Sequence, residues 1–429
     1  MPSNFDLVIH LFLQLTVILL ACRALAALLR PLGQAAVVAE MIAGVLLGPS
    51  LLGQVWPGAQ EFLFPRTLPG GGTHPSMTVL YALSQLGLVL YMFVIGLHFD
   101  ARRLSGRFGQ AAGVSLSGVA APLVLGGALG WLWAADPRLF GPGLAPGQAA
   151  LFLGAAMAIT AFPMLARIIH ESGLTHTRLG TLTLGAAALD DAAAWCLLAV
   201  VLATLQGDPA IAALAVGGGA VYALVTLRLA RPLLGRFAGT VSAGVLHPPA
   251  LVLLLALLMG CAWFTDRIGI YSIFGAFVLG AALPRGAFAE AAGRTVEPLT
   301  VTLLLPIFFV YSGLNTRLSL LLDPAVLGAA LLIVAVAFLC KGGACLLASR
   351  LGGASWRDAA LIGVLMNARG LMELILINIG LERGIITPAL FTALALMAVL
   401  TTFVASPLFA WVRRGEPGAA PGRAVEEAR

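Results

Sequence analysis

Residues 185–198 read GAAALDDAAAWCLL, an apolar run that carries two adjacent aspartates, Asp190 and Asp191. Between Arg178 and Asp208 these two are the only charged residues. If the run spans a membrane, each carboxylate costs roughly 2.5–3.5 kcal/mol on insertion scales. Two in succession therefore need an explanation, and an ionisable residue at membrane depth is a candidate functional site by default.

The composition places this run in a membrane protein. Of the 429 residues 60% are hydrophobic and only 10% are charged, with a mean hydropathy of +0.99, whereas soluble proteins carry about 25% charged residues. The 50 glycines and 24 prolines are typical of tightly packed and interrupted membrane helices. We predict an all-α polytopic membrane protein. Its N-terminus lacks the pattern of a cleaved signal peptide, so the first apolar run is expected to remain as a span.

At about 20 apolar residues per span, the chain divides into about thirteen predicted helices. Their approximate limits are 7–29, 35–53, 78–97, 109–134, 148–169, 179–205, 210–227, 248–265, 268–283, 299–315, 324–349, 358–381 and 385–411.

The arginines predict the orientation. One set of alternate loops carries seventeen arginines and the other set carries five. Because cytoplasmic loops are enriched in basic residues, we predict an outside N-terminus and a cytoplasmic C-terminus. The net charge of +6 is thus a topological signal, and no nucleic-acid partner is expected. Residues 412–429 are predicted to be a short, disordered cytoplasmic tail that follows a transmembrane domain over 1–411.

An odd number of spans predicts two six-helix halves of opposite orientation around one linking helix. The first repeat would cover about 7–205, the linking helix about 210–227, and the second repeat about 248–411. Short echoes support this interpretation: IAGVLLGPSL (42–51) resembles IFGAFVLGAAL (273–283), and FVIGL (93–97) resembles FVYSGL (309–314).

Two predicted spans in corresponding positions carry polar or helix-breaking residues near their middle. Thr160 and Pro163 lie in the fifth span; Asn367, Arg369 and Glu373 lie in the twelfth. These features fit a proline kink and a self-neutralising structural pair four residues apart. They also fit two interrupted helices that line an ion cavity, with the buried charges compensating the partial charges of the helix ends.

Lys341, in the eleventh span, is the only lysine of the chain. A lysine this deep in an apolar helix needs an anionic partner, and Asp190 or Asp191 can be that partner, either as a static ion pair or as a pair linked to proton release. The two aspartates lie about 100° apart around a helix axis. We therefore predict that one faces the cavity as a cation or proton ligand and that the other faces a neighbouring helix or Lys341.

Several blocks together resemble the monovalent cation:proton antiporters, with the plant and fungal cation/H⁺ exchangers and their bacterial relatives as the nearest branch. The blocks are GVLLGPSLLG (44–53), AITAFPMLARIIHESGLTHTRLGTLTLGAAALDDAAAW (158–195), GAFVLGAALPR (275–285), LPIFFVYSGL (305–314) and NARGLMELILINIGL (367–381). The resemblance covers essentially the whole membrane region.

The resemblance implies a sodium/proton-antiporter-like fold in which a core domain moves against a dimerisation domain. Asp191 matches the ion-binding acid, and Lys341 matches the lysine that pairs with the acids in electrogenic relatives. The exchanger branch often has asparagine where this chain has Asp190. In the wider family an Asp–Asp pair goes with electrogenic exchange and an Asn–Asp pair with electroneutral exchange, so the branch and the Asp190–Asp191 pair imply different stoichiometries. Many relatives carry a long regulatory domain; no nucleotide-binding module is expected here.

We predict a non-enzymatic, secondary-active antiporter that exchanges K⁺ or Na⁺ for protons and needs no cofactor. Asp191, Asp190 and Thr160 would bind the ion or proton, and Lys341 would be the proton-linked ion-pair partner. Pro163 would break the fifth helix. The crossing of the interrupted helices would be stabilised by Asn367, Arg369 and Glu373. A homodimer in a bacterial inner membrane is expected. Two alternatives remain open: a cation channel without proton coupling, and a receptor that transports nothing.

Overall fold

The computed structural model describes most of the chain. The described residues are 3–32, 34, 36–66, 74–98, 108–162, 165, 168–169, 174, 177–206, 217–219, 221–228, 241–242, 245–268, 272–284 and 286–413. Pro163, most of the predicted tail and the beginning of the predicted linking helix lie outside them. The remainder of the linking helix is helical over 217–219 and 221–228.

The described secondary structure is helical apart from one antiparallel pair of two-residue strands, Val241–Ser242 and Val245–Leu246. The α-helices are α1 (Asn4–Leu29), α2 (Ala36–Leu47), α3 (Leu52–Val55), α4 (Pro57–Leu63), α5 (Pro75–His98), α6 (Phe108–Trp133), α7 (Pro146–Ala158), α8 (Arg178–Gln206), α9 (Pro248–Arg267), α10 (Ser272–Ala282), α11 (Ala287–Leu299), α12 (Leu305–Leu314), α13 (Pro324–Leu351), α14 (Trp356–Leu365), α15 (Leu371–Glu382) and α16 (Pro388–Arg413). A π-helical turn, Thr300–Leu304, joins α11 to α12.

Within the described ranges, eight helices are long and apolar enough to cross a membrane. The membrane class predicted from composition agrees with this finding. The predicted span 358–381 is two short helices, α14 and α15, because the backbone leaves the helical conformation between them. Helix α7 likewise ends at Ala158, well before the predicted limit at 169. The total of thirteen spans and the inverted repeat stay predictions.

The chain separates into two compact units, each assembled from segments distant in sequence. Unit 1 comprises Met1–Arg23, Ala43–Asp100 and Trp195–Leu314; unit 2 comprises Ala24–Ile42, Ala101–Ala194 and Asn315–Arg429.

Small residues allow the helices of unit 1 to approach closely. Helix α5 packs along α10, and their contact is made by Gly96 and Gly280. A Cβ atom on Gly96 would overlap the carbonyl oxygen of Phe277, and one on Gly280 would overlap that of Phe93. This is the small-residue packing by which membrane helices gain van der Waals contact without a hydrophobic driving force between them.

Unit 2 holds α6, α7, the part of α8 up to Ala194, and α13–α16. Its buried core includes Val114, Leu165 and Ala186. Helix α6 packs against both α7 and α13, and α13 also contacts α14 and α16. The loop before α7 is tied to the loop after α15, since the Gly141 N–H donates to the Ile385 carbonyl at 2.9 Å. Unit 2 thereby holds the ends of the two interrupted helices in place.

Candidate functional site

The two helix interruptions of unit 2 contact one another. After α7 ends, residues 159–161 are non-helical, and residues 366–370 separate α14 from α15. The Ala161 N–H donates to the Ala368 carbonyl at 2.9 Å, a direct backbone link between the two interruptions. Non-helical backbone at membrane depth is tolerated where it is sheltered from lipid, and Ala161 and Ala368 are both buried.

A threonine of α16 satisfies the backbone of the second interruption. The Thr402 hydroxyl accepts from the Arg369 N–H at 2.8 Å and donates to the Arg369 carbonyl at 2.8 Å. One side chain therefore replaces both hydrogen bonds that residue 369 would make in a continuous helix, which matters because an unsatisfied buried backbone group is costly.

Asp190, on α8, is fully engaged by its neighbours. Its Oδ1 accepts from the Ser115 hydroxyl at 2.6 Å, and its Oδ2 accepts from the Thr160 hydroxyl at 2.7 Å and from Lys341 Nζ at 3.0 Å. The side chains of Asp190 and Lys341 are completely buried. Three donors therefore satisfy both oxygens of this buried carboxylate.

Lys341, on α13, uses all three of its N–H donors. Besides Asp190, Nζ donates to the Gly118 carbonyl at 3.0 Å and to the Ala158 carbonyl at 2.5 Å. Ala158 is the last residue of α7, so the ammonium lies where the negative end of that half-helix is found. The three N–H donors of the ammonium group thus meet three acceptors.

Asp191 has different surroundings from its neighbour. Its side chain is buried and receives a hydrogen bond from the Phe162 backbone N–H. Among the described residues, no hydrogen-bond donor contacts its Oδ1. One of the two adjacent aspartates is thus saturated with partners, and the other retains a buried carboxylate oxygen that can accept a proton or a cation.

Arg369 and Glu373 lie at opposite helix ends. The Arg369 guanidinium donates to the carbonyls of Met157 at 2.6 Å and of Ala156 and Ile159 at 3.3 Å, at the C-terminal end of α7. Glu373 lies in the first turn of α15, and its Oε2 is 3.6 Å from Arg369. Each charge is opposite to the partial charge of the helix end that it faces.

The structure brings most of the predicted site residues together in unit 2. Lys341 pairs with Asp190, and Thr160 contacts Asp190 rather than Asp191. The Asn367 amide donates to the Gly363 carbonyl of the preceding helix, α14, at 3.0 Å. Pro163 lies outside the described residues.

Sequence reasoning missed Ser115, Gly118 and Thr402. Their residue types are common in membrane helices, so no local signal distinguishes them. Within the described ranges, no group of three or more His, Cys, Asp or Glu side chains could hold a resident metal ion.

Comparison with known proteins identifies the family of the chain. The family described as "Sodium/hydrogen exchanger, transmembrane" matches residues 16–414. The chain belongs to this family. The resemblance deduced from the sequence blocks is therefore confirmed, and the class is that of the cation/proton antiporters, which are transporters.

Named relatives support the same class. The Na⁺/H⁺ antiporter NhaS4 of Synechocystis is 39% identical over 87% of this chain and 90% of its own length. Cation/H⁺ antiporter 18 of Arabidopsis thaliana is 36% identical over 95% of this chain. The K⁺/H⁺ antiporter 1 of Saccharomyces cerevisiae is 30% identical over 95% of this chain. This exchanger-family chain spans about half the length of the plant and yeast relatives.

A solved structure has the same fold. The sodium proton antiporter MjNhaP1 from Methanocaldococcus jannaschii superposes with a TM-score of 0.64 over 94% of this chain and 97% of its own, at 14% sequence identity. The predicted antiporter-like fold is therefore confirmed at the level of the overall helical architecture.

Proposed function

We propose that the chain exchanges a monovalent cation, Na⁺ or K⁺, for protons, and that cation and proton compete for Asp191. The observation that carries the proposal is the contrast between the two adjacent carboxylates. Asp190 is saturated by Ser115, Thr160 and Lys341, whereas Asp191 is buried with an oxygen that no described residue engages.

A hard monovalent cation prefers oxygen ligands. The Asp191 carboxylate can be joined by the carbonyl oxygens of the interrupted segments and by the Thr160 hydroxyl, which keeps a lone pair free while it donates to Asp190. The same carboxylate binds a proton. Mutually exclusive occupancy of one site is the minimum requirement for coupled exchange.

Asp190 and Lys341 serve as an ion pair linked to the proton cycle, and Arg369 with Glu373 compensates the charges of the helix ends. Alternating access would expose Asp191 to each side of the membrane in turn. Relatives are named Na⁺/H⁺, K⁺/H⁺ and Na⁺/H⁺-K⁺ antiporters, so either ion is in keeping with this family. We further propose a homodimer in a bacterial-type inner membrane that serves pH homeostasis.

Replacement of Asp191 by asparagine tests the site. In everted membrane vesicles that carry a pH gradient, addition of Na⁺ or K⁺ should collapse the gradient with wild type and leave it intact with Asp191→Asn, because an amide does not titrate. The matched control is Asp266→Asn, an exposed aspartate in the last turn of α9, which should exchange as wild type does. Normal exchange by Asp191→Asn would contradict the assignment of Asp191 as the binding site for cation and proton.

The same assay separates exchange from a channel and determines stoichiometry. A channel would pass cation current without moving protons when the membrane potential is clamped. An electrogenic exchanger would respond to the potential, whereas an electroneutral exchanger would not.

A further inference from the structure

Helix α6 carries no charged residue between Phe108 and Trp133, and the sequence gives no reason to place it at the site. In the structure, however, it contacts both members of the buried ion pair. The Ser115 hydroxyl donates to Asp190, and the Gly118 carbonyl accepts from Lys341. The two positions are three residues apart and therefore lie on the same face of the helix.

Pro122 explains why the Gly118 carbonyl is available to Lys341. In an α-helix the carbonyl of residue 118 would accept the N–H of residue 122. Residue 122 is a proline inside α6, and proline has no backbone N–H. The Gly118 carbonyl is therefore left without its intrahelical donor, and Lys341 Nζ supplies one at 3.0 Å.

We propose that Ser115 and Pro122 are positioning residues for the exchange reaction. Ser115 donates a hydrogen bond to Asp190, and Pro122 reserves the Gly118 carbonyl for the Lys341 ammonium. Together they stabilise the proton-linked ion pair that lies beside Asp191. The inference rests on the proposed exchange at Asp191 and extends it to a helix without charged groups.

The other titratable groups around the pair remain in place in the variants that test this inference. Among the described residues they are Asp191 on α8, Cys340 and Cys345 on α13, and Arg369 and Glu373 at the second interruption. None of them is replaced in these variants. A change in the pH dependence of exchange therefore reports on the hydrogen bonds that α6 forms with Asp190 and Lys341.

The experiment measures the pH profile of Na⁺- and K⁺-driven exchange in everted vesicles for Ser115→Ala and Pro122→Ala. Loss of the Ser115 hydroxyl weakens the ionised form of Asp190. The acidic limb of the profile should therefore move to higher pH by roughly one unit, the size expected for one hydrogen bond to a charged group. Ser115→Thr keeps a hydroxyl and should restore the wild-type profile.

Pro122→Ala should act on the opposite limb. Alanine supplies an N–H that competes for the Gly118 carbonyl, which weakens the charged form of Lys341, so the alkaline limb should move to lower pH. A proline-to-alanine change inside a helix favours helix formation, so misfolding is not the expected cause of such a shift.

Ser117→Ala is the matched control. Ser117 is also on α6, but its hydroxyl contacts the backbone carbonyls of Val114 and Ala344 and, among the described residues, no charged side chain. Its profile should equal that of wild type. If Ser115→Ala does not reach the membrane, Ser115→Cys, with a weaker donor of similar size, should give a smaller shift in the same direction.

The inference is overturned if the pH profiles of both Ser115→Ala and Pro122→Ala equal that of wild type. If Ser115→Ala is not recovered in the membrane, a wild-type pH profile for Ser115→Cys overturns it as well. A wild-type chain without any cation-driven exchange would refute the proposed function instead, so the two failures are distinguishable.

Discussion

At the scale of single residues, two neighbours with identical chemistry have unlike surroundings. Asp190 has three donors within 3.0 Å, and Asp191 has a buried oxygen without a donor among the described residues. A buried charge is tolerated when it is paired and hydrogen-bonded. The Asp190–Lys341 pair meets that condition, so of the two adjacent aspartates Asp191 is the one that can exchange its ligand.

Breaking this pair on one side should destabilise the fold. Lys341→Met leaves Asp190 buried without its cation, and loss of one partner of a buried pair costs about 3–5 kcal/mol. We expect a lowered Tm for the purified protein in detergent. Adding Asp190→Asn to Lys341→Met removes the orphaned charge and should recover a large part of the loss.

A thermal-unfolding series of the wild type, both single variants and the double variant measures the coupling. If the losses of the two single variants simply add in the double variant, Asp190 and Lys341 do not stabilise one another, and the ion pair has no energetic role.

At the scale of elements, the site depends on two interruptions that need substitutes for lost helical hydrogen bonds. The Ala161–Ala368 link satisfies one backbone donor, and Thr402 satisfies both backbone groups of Arg369. Arg369 itself caps the carbonyls at the end of α7. The interruption is therefore built by side chains from other helices as much as by its own sequence.

Thr402→Val should weaken this arrangement without changing side-chain shape. It leaves the N–H and the carbonyl of Arg369 without their partner, at a cost of about 1–3 kcal/mol for each buried group. We expect a lower Tm and slower exchange, with Thr402→Ser closer to wild type. The quantities to measure are Tm in detergent and the initial rate of gradient collapse.

The adjacent Thr401 is a close control for this variant. It is equally buried, but its hydroxyl bonds to the Met397 carbonyl of its own helix. Thr401→Val should therefore have little effect. If Thr401→Val lowers Tm and the exchange rate as much as Thr402→Val does, the contacts of Thr402 with Arg369 do not cause the effect.

At the scale of the whole molecule, every contact of the site lies within unit 2. That unit combines Ala24–Ile42 and Ala101–Ala194 with Asn315–Arg429, so each half of the chain contributes to it. The partners of the site are far apart in the sequence: Asp190 and Lys341 are separated by 151 residues. The predicted orientation of these segments in the membrane follows from the arginine distribution and can be tested directly.

The ends of α13 suit a test of orientation. Its 28 residues extend over about 42 Å at 1.5 Å per residue, more than the ~30 Å hydrocarbon core. Leu322 precedes the helix and is 82% exposed; Leu351 ends it and is 89% exposed. With the N-terminus outside, Leu322→Cys should react with an impermeant maleimide in right-side-out vesicles, and Leu351→Cys only in everted ones.

The wild-type chain gives the background for this labelling, because its five cysteines all lie within helices. The reverse pattern of labelling would invert the predicted topology and place the arginine-rich loops on the outside.

The sequence alone predicted the membrane class, the helical architecture and the family, because hydropathy and short motifs are local properties of the chain. It also singled out most of the polar residues at membrane depth, because charges are rare there and stand out against apolar neighbours. Asp190, Asp191, Lys341, Arg369 and Glu373 were all found in this way.

Only the tertiary structure decided which of these groups meet. Lys341 could have paired with either aspartate, and the geometry places it against Asp190. Helix packing alone brings Ser115, Gly118 and Thr402 to the site. Serine, glycine and threonine are common in membrane helices, so their residue types do not show that a neighbouring helix forms hydrogen bonds with them. The type of a residue determines which groups its side chain can bind. Which of those groups it meets depends on the fold when they lie more than a hundred positions away in the sequence.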